Sequence, residues 1–306
     1  MKAYFGTSTD IESKGIYFFK FDSNKDDDAC LYQSIKQPKY LCADNEYLYT
    51  VFQKDIGAGI RIYHKECIVQ ELIYEYYPSC YILVKPPYIY TVNYHESTLT
   101  KLSFLDNRLQ FVKTISFEEN AGPHQVIVDG DNLIVPCLLQ DELIILNEEL
   151  EVISRQSFKK YTGPRHGLIF ENHLYLVSEI SNEVYQFKKD KEGWKLKDKA
   201  NLLLPFEKGH AAGISVDTDG KRLFISIRGI NQIAVFTVIN QHLKMIKRLD
   251  CFGDHPRFIR WIKSKQNLCV ANRFSNEVVL IDIEKERVVQ RIKVFEPTCV
   301  EVIYEE

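Results

Sequence analysis

Gly163-Pro164-Arg165-His166-Gly167, followed after a turn at Glu171-Asn172-His173 by Leu174-Tyr175-Leu176-Val177-Ser178-Glu179, reads as one β-hairpin that opens on a Gly-Pro loop and closes on a carboxylate. The same unit recurs on both sides of it. Upstream, Gln37-Pro38-Lys39-Tyr40-Leu41 leads to Tyr47-Leu48-Tyr49-Thr50-Val51, Ser79-Cys80-Tyr81-Ile82 to Tyr88-Ile89-Tyr90-Thr91-Val92-Asn93, and Gly122-Pro123-His124-Gln125-Val126 to Leu133-Ile134-Val135. Downstream, His210-Ala211-Ala212-Gly213-Ile214 leads to Leu223-Phe224-Ile225-Ser226-Ile227-Arg228, and Asp254-His255-Pro256-Arg257-Phe258 to Leu268-Cys269-Val270-Ala271-Asn272-Arg273. Equivalent strand positions at Val51, Val92, Val135, Val177, Ile225 and Val270 lie about 41 to 48 residues apart, the period of a four-stranded propeller blade. Over 306 residues that period gives roughly seven blades.

The ends of the chain agree with this count. Tyr4-Phe5-Gly6-Thr7 and Gly15-Ile16-Tyr17-Phe18-Phe19-Lys20-Phe21 supply strands for a first blade, while Pro297-Thr298-Cys299-Val300-Glu301-Val302-Ile303-Tyr304 is an opening strand with no partner after it. The expectation is an all-β, seven-bladed β-propeller whose N- and C-terminal strands share a blade and so close the ring. The repeat leaves no room for a linker, and residues 1–306 read as a single β-propeller domain. Tyr and Phe number 18 each against 2 Met, a bias toward pleated, half-buried strands, and no long helical pattern is present. The most charged stretch, from Lys188 to Lys199, reads as an outer hairpin.

Composition removes several classes of function. A net charge of −3 with no Lys/Arg block gives no electrostatic footprint for nucleic acid. The chain enters a strand directly after Met1-Lys2-Ala3 and has no run near the roughly 18 apolar residues of a membrane span, so a cytoplasmic location without membrane partners is expected. The eight cysteines, at 30, 42, 67, 80, 137, 251, 269 and 299, contain no C-x-x-C pair and fit reduced thiols better than disulfides or a zinc site. No G-x-S-x-G elbow, phosphate-binding G-x-x-x-x-G-K, H-E-x-x-H or dinucleotide fingerprint occurs. Function must therefore come from the rim of the ring.

Strand geometry makes that rim one place. A short turn puts the start of its first strand beside the end of its second, with the turn at the opposite end. Lys39, His124, Arg165, His166, His210 and Arg257 at strand starts therefore share a face with Asn93, Glu179, Arg228 and Arg273 at strand ends. The first strand of a blade lines the central channel, so these side chains should converge on its mouth. His64, His95, His173 and His242 fall on turns or outer strands and read as surface residues.

Gly6-Thr7-Ser8-Thr9, Ser13-Lys14-Gly15-Ile16-Tyr17, Gly163-Pro164-Arg165-His166, Ser178-Glu179, Ile225-Ser226-Ile227-Arg228-Gly229 and Pro256-Arg257 occur in an order and spacing that resemble the seven-bladed lactonase family, over essentially the whole chain. That family includes bacterial 6-phosphogluconolactonases of the propeller type and fungal carboxymuconate-lactonizing enzymes. The resemblance implies His124, Arg165, Glu179 and Arg228 as catalytic residues. It implies lactone hydrolysis or the related cycloisomerisation, without a metal or other cofactor.

Residue chemistry supplies roles for these groups. Lactone hydrolysis needs a base for the attacking water, a cation or donor at the developing oxyanion and a proton for the leaving oxygen. Glu179 or His124 is the candidate base, with Arg165 and Arg228 at the oxyanion. Lys39, Arg257 and Arg273, with Asn93 and His166, are candidates for binding a small anionic substrate, since arginine offers a planar fork to phosphate or carboxylate. The expected reaction is hydrolysis of an anionic sugar lactone, 6-phosphogluconolactone to 6-phosphogluconate. A carboxymuconate-type cycloisomerase and a non-catalytic binding propeller are the alternatives, and the oligomeric state stays open. On this reading Glu179→Gln abolishes turnover and leaves the melting temperature nearly unchanged.

Overall fold

A computed structural model describes residues 1–21, 26–239 and 242–304, and among them it contains strands and turns but no helix. Among the described residues seven sheets follow one another as the blades of a propeller, each built on four antiparallel strands, and in five of them the strands run in sequential order from the channel outward. The innermost strands are Leu41–Ala43, Tyr81–Lys85, Ile127–Asp129, Pro164–Phe170, His210–Asp217, Pro256–Ile262 and Pro297–Ile303. The last of these is the inner strand of the blade continued by Lys2–Thr7, Gly15–Lys20 and Cys30–Ser34, so the ring closes through a shared blade as the sequence implied. A second closure was not legible. Asp27–Asp28 adds a parallel fifth strand to the outer edge of the blade that begins at Pro256.

Blade stacking explains the apolar runs. A blade between two others is covered on both faces, so its second strand is near-continuously apolar, and Leu133, Ile134 and Val135 are all fully buried. Tyr175 and Val177 of one blade pack with Ile225 and Phe236 of the next. Toward the rim this burial fades, as in the mostly exposed strand Arg108–Ser116. The charged stretch between Lys188 and Lys199 forms the outer hairpin expected of it, within the pairing of Glu183–Asp190 with Gly193–Asn201. All eight cysteines are free thiols.

Prolines at the strand starts set up the channel mouth. Pro164 pairs with Ser178 and His166 with Val177, leaving Arg165 as the extra residue of a β-bulge. Arg257 is extra in the same way between Pro256, opposite Asn272, and Phe258, opposite Ala271. Thr298 repeats the pattern between Pro297 and Cys299. Proline cannot donate to a ladder and is tolerated at the first residue of a strand, while a bulge bends the strand and re-aims the side chain it adds. Lys39 and His124 also follow prolines, Pro38 and Pro123. The loop before Arg165 is equally constrained: Gly163 adopts φ +68°, and a Cβ there would lie 2.7 Å from the Ile180 side chain.

Candidate active site

The bulged and strand-start residues meet in a cleft of about 240 Å³ at the channel mouth, lined by Lys39, His124, Arg165, Glu179, Arg228 and Arg257 together with Pro78, Cys80, Tyr94, His95 and Leu138. A void of about 20 Å³, room for one water, shares Lys39, Cys80, His124, Arg165 and Arg257 with it and adds His166, Tyr40, Phe258 and Thr298. Larger depressions of about 370 and 660 Å³ flank the turn at Asp44, Asn45 and Glu46, and one of about 750 Å³ lies by Asp26, Asp27 and Asp28. Size does not decide between them. Among these spaces and the described residues, the channel mouth is the one that gathers buried ionisable groups from several blades.

Glu179 is the centre of the charge pattern. Its Oε2 lies 2.7 Å from Arg165 Nε and 2.7 Å from Arg228 Nη2. Arg165 is 2 % exposed, and its Nε contacts the carboxylate as an ion pair outside hydrogen-bond geometry, while its Nη1 donates to Ala212 O at 2.5 Å. Arg228 is steered by the carbonyls of His210 and Ala211, at 3.3 and 3.4 Å from its Nε and Nη2. Burial alone would raise the Glu179 pKa, but Arg165 and Arg228 outweigh it and hold the carboxyl below its ordinary value. Both arginine contacts fall on Oε2. Oε1 is the oxygen left for a water or a substrate.

Arg257 and Lys39 are cations of another kind. Among the described residues neither guanidinium nor ammonium has a hydrogen bond or an ion pair. Burial first, then Arg228 and Arg273, push the Arg257 pKa down to about 10. Burial also lowers that of Lys39; Asp10 opposes it, and Arg257 and Arg273 add to it. Four cationic side chains thus face the cleft against one carboxylate.

The imidazoles form a pair, with His124 Nδ1 3.1 Å from His166 Nε2 and His166 Nδ1 3.3 Å from Arg165 Nη1. Burial, then the charge of Arg165, holds both pKa values well below the ordinary imidazole range, so both rings are neutral. Cys80 is no nucleophile at neutral pH. Burial pushes its thiol up to about 11, and Sγ sits 3.5 Å from the carbonyls of Val92 and Pro123. Among the described residues no group of three His, Cys, Asp or Glu side chains is arranged to hold a metal ion.

Of the expected binding residues, His166 lines the void and not the cleft, and Asn93 and Arg273 line neither. Asn93 is 1 % exposed and has its amide fully used, with Nδ2 2.9 Å from Glu75 Oε2 and Oδ1 accepting from the backbone of His95 and Glu96. The cause is register. His124 N donates to Pro136 O as Cys80 N does to Val92 O, so Asn93 corresponds to Cys137, and the following residue, Tyr94, corresponds to Leu138. Successive residues of a strand face opposite ways, so Asn93 turns from the cleft and Tyr94 lines it. Arg273 is diverted by Asp10, whose Oδ2 is 2.6 Å from Nη2. His210 is exposed and lines neither space. In the other direction, His95, read from sequence as a surface residue, lines the cleft, as do Cys80 and, in the void, Thr298. Aligning the repeats on their prolines would have placed Thr298 beside Lys39, His124, Arg165 and Arg257, whereas Pro78 stands two residues before Cys80 and would have pointed to Ser79 instead.

The chain belongs to the lactonase family with a seven-bladed β-propeller, whose model matches residues 2–302. The 6-phosphogluconolactonase of Bacillus subtilis (strain 168) is 24% identical to it over 343 aligned residues, covering 99% of this chain and 98% of that protein. Among solved structures, a protein from Lactobacillus plantarum superposes with a TM-score of 0.89 at 22% identity, covering 99% of both chains. A periplasmic gluconolactonase from Pseudomonas aeruginosa does so with a TM-score of 0.82 at 20% identity, also covering 99% of both. Among the described residues no helix is long and apolar enough to cross a membrane.

Proposed function

We propose that this chain hydrolyses an anionic sugar lactone, with 6-phosphogluconolactone as substrate and 6-phosphogluconate as product. The observation that carries the reading is the excess of cation at the mouth, above all Arg257 and Lys39, which among the described residues form no ion pair with a carboxylate. Two half-buried cations that share one cleft without an ion-pair partner favour a ligand that brings negative charge, and a phosphate offers several oxygens to a guanidinium fork. A cleft of about 240 Å³ also suits a small polar metabolite better than the larger ligands of roughly 300–1,000 Å³ sites.

In the proposed reaction the phosphate rests against Arg257 and Lys39. Water attacks the carbonyl carbon and passes a proton to Glu179 Oε1. Collapse of the tetrahedral intermediate breaks the bond from carbonyl carbon to ring oxygen, and Glu179 returns the proton to that oxygen. Arg165 and Arg228 hold Glu179 ionised and oriented. Their field makes it a weak base in the empty cleft, and a bound anion offsets part of that field, so substrate binding strengthens the base it needs.

The test is hydrolysis of freshly generated 6-phosphogluconolactone, followed as acid release above its spontaneous rate. The parent should accelerate it. Arg257→Ala should raise KM by roughly 10- to 100-fold, the value of one or two charge-assisted contacts. Unphosphorylated gluconolactone should be a poorer substrate for the parent and respond little to that substitution. No acceleration by the parent would remove this substrate and shift weight to a carboxylated lactone or to binding without turnover.

A further inference from the structure

The pair His124–His166 has a direction, and Arg165 sets it. A guanidinium has N–H donors and no acceptor. Arg165 Nη1, 3.3 Å from His166 Nδ1, therefore requires that nitrogen to be bare. A neutral imidazole with a bare Nδ1 carries its proton on Nε2, so His166 donates across the 3.1 Å contact to His124 Nδ1. His124 Nδ1 is then bare in turn, and His124 carries its own proton on Nε2. Among the described residues nothing hydrogen-bonds that atom, and the His124 ring lines both the cleft and the void beneath it.

We infer that Arg165 and His166 lock His124 as an N–H donor to the cleft, which makes His166 a positioning residue and excludes His124 as the base. Resting on the lactonase reading above, the inference gives the two candidate bases separate roles. Glu179 takes the proton of the attacking water. His124 Nε2–H donates a hydrogen bond to the carbonyl oxygen as the electron pair gathers there, and keeps its proton throughout.

The surroundings favour this arrangement over its reverse. Protonating either ring would put an N–H against another donor, at Arg165 or between the two imidazoles. Of the other groups near His124, Tyr94 meets the ring edge-on with centroids 5.9 Å apart, Cys80 Sγ lies against carbonyls, and Lys39 and Arg257 carry donors only; the His124 carbonyl is the one acceptor facing the rings among those described, and the tautomer spectra below read whether it or His166 holds Nδ1. Arg165 thus serves twice, holding the base through Nε and fixing the donor through Nη1.

Long-range proton–nitrogen correlation spectra of the full-length, histidine-labelled, unliganded protein near neutral pH read the tautomers directly, with His124 assigned by its absence in His124→Gln. The expected result is a protonated Nε2 and a bare Nδ1 on both rings. His166→Phe should release His124 into exchange-averaged signals and lower kcat by about 10-fold or more with KM little changed, part of the ~10²–10³ that deleting an oxyanion donor costs. His166→Gln, whose amide can still donate to His124 Nδ1, should restore the protonated Nε2 signal. A parent His124 protonated on Nδ1, or one whose tautomer is untouched by His166→Phe, would overturn the inference whether or not lactone is hydrolysed. The expected tautomers in a protein that accelerates no lactone would leave the donor geometry standing and count against the lactonase reading alone.

Discussion

Glu179 shows how one side chain serves stability and chemistry together. The sequence placed it at a strand end beside Arg165 and Arg228 and led to the expectation that Glu179→Gln would leave the melting temperature unchanged. The geometry argues otherwise, because both guanidiniums are buried and share its Oε2. Removing that charge should cost about 3 kcal/mol of stability as well as roughly 10²–10⁴ in kcat, read from urea melts and lactone assays on the same preparation; an active or equally stable variant would contradict this. Glu75 makes the opposite kind of prediction. It accepts from Ser79 N, Ser79 Oγ and Asn93 Nδ2, yet burial dominates and pushes its pKa from 4.5 up to about 7. The folded state then keeps a proton that the unfolded chain has lost. Stability should fall as pH rises from about 4.5 to about 7 and flatten above, by on the order of 3 kcal/mol, and Glu75→Gln should flatten that slope. Neither effect was legible in the sequence. Charge type and strand-end position are visible there, whereas the burial that gives them weight arises only when blades close over them.

At the scale of elements, the site depends on loops fastened by single side chains. Glu296 shows this best. One carboxylate accepts from the backbone N–H groups of Asp10, Ile11, Glu12 and Ser13, at 3.3, 3.0, 2.9 and 3.1 Å, and from Ser8 Oγ at 3.2 Å. Burial opposes its ionisation, but these donors outweigh it and lower its pKa below 4.5. Its contribution is therefore present above the unfolded value and is lost as pH falls through the folded one. The loop it pins carries Asp10, which holds Arg273 away from the cleft. Glu296→Gln should destabilise the protein by about 1–3 kcal/mol and speed amide exchange at residues 10–13, with little change at the buried strand Asn132–Cys137; unchanged exchange would deny the loop this fastening. The sequence disclosed the strands around this latch through their repeat, and its Pro-Arg and Pro-Thr pairs carried an unread signal for the bulges. It could not disclose the latch, because nothing periodic links residue 296 to residues 8–13.

For the whole molecule, the repeat of about 41 to 48 residues was enough to give the blade number, because each blade meets the same requirement to bury two faces, and the unpartnered strand from Pro297 pointed to the shared blade. The parallel strand at Asp27–Asp28 escaped because two exposed aspartates carry no strand pattern. The shared blade makes the inner strand Pro297–Ile303 a keystone: Cys299 and Val300 are fully buried, and Thr298 Oγ1 ties Gly6 O and Lys39 O at 3.1 and 2.8 Å. If its role is to close the ring, what matters is the pairing of that strand and not the position of the chain ends. Lys2 lies opposite Ile303, so joining residue 306 directly to Met1 would turn the shared pair into an ordinary hairpin. New ends could open between Lys191 and Glu192, in the exposed turn of the outer hairpin where Asp190 pairs with Gly193. That permutant should fold with near-parental stability and the parental response to Arg257→Ala, whereas deletion of residues 297–306 should abolish cooperative unfolding. A stable, cooperative deletion variant would mean that six blades and an open seventh suffice. A permutant that fails to fold would mean that the order in which the blades are made, and not only their closure, decides the native ring.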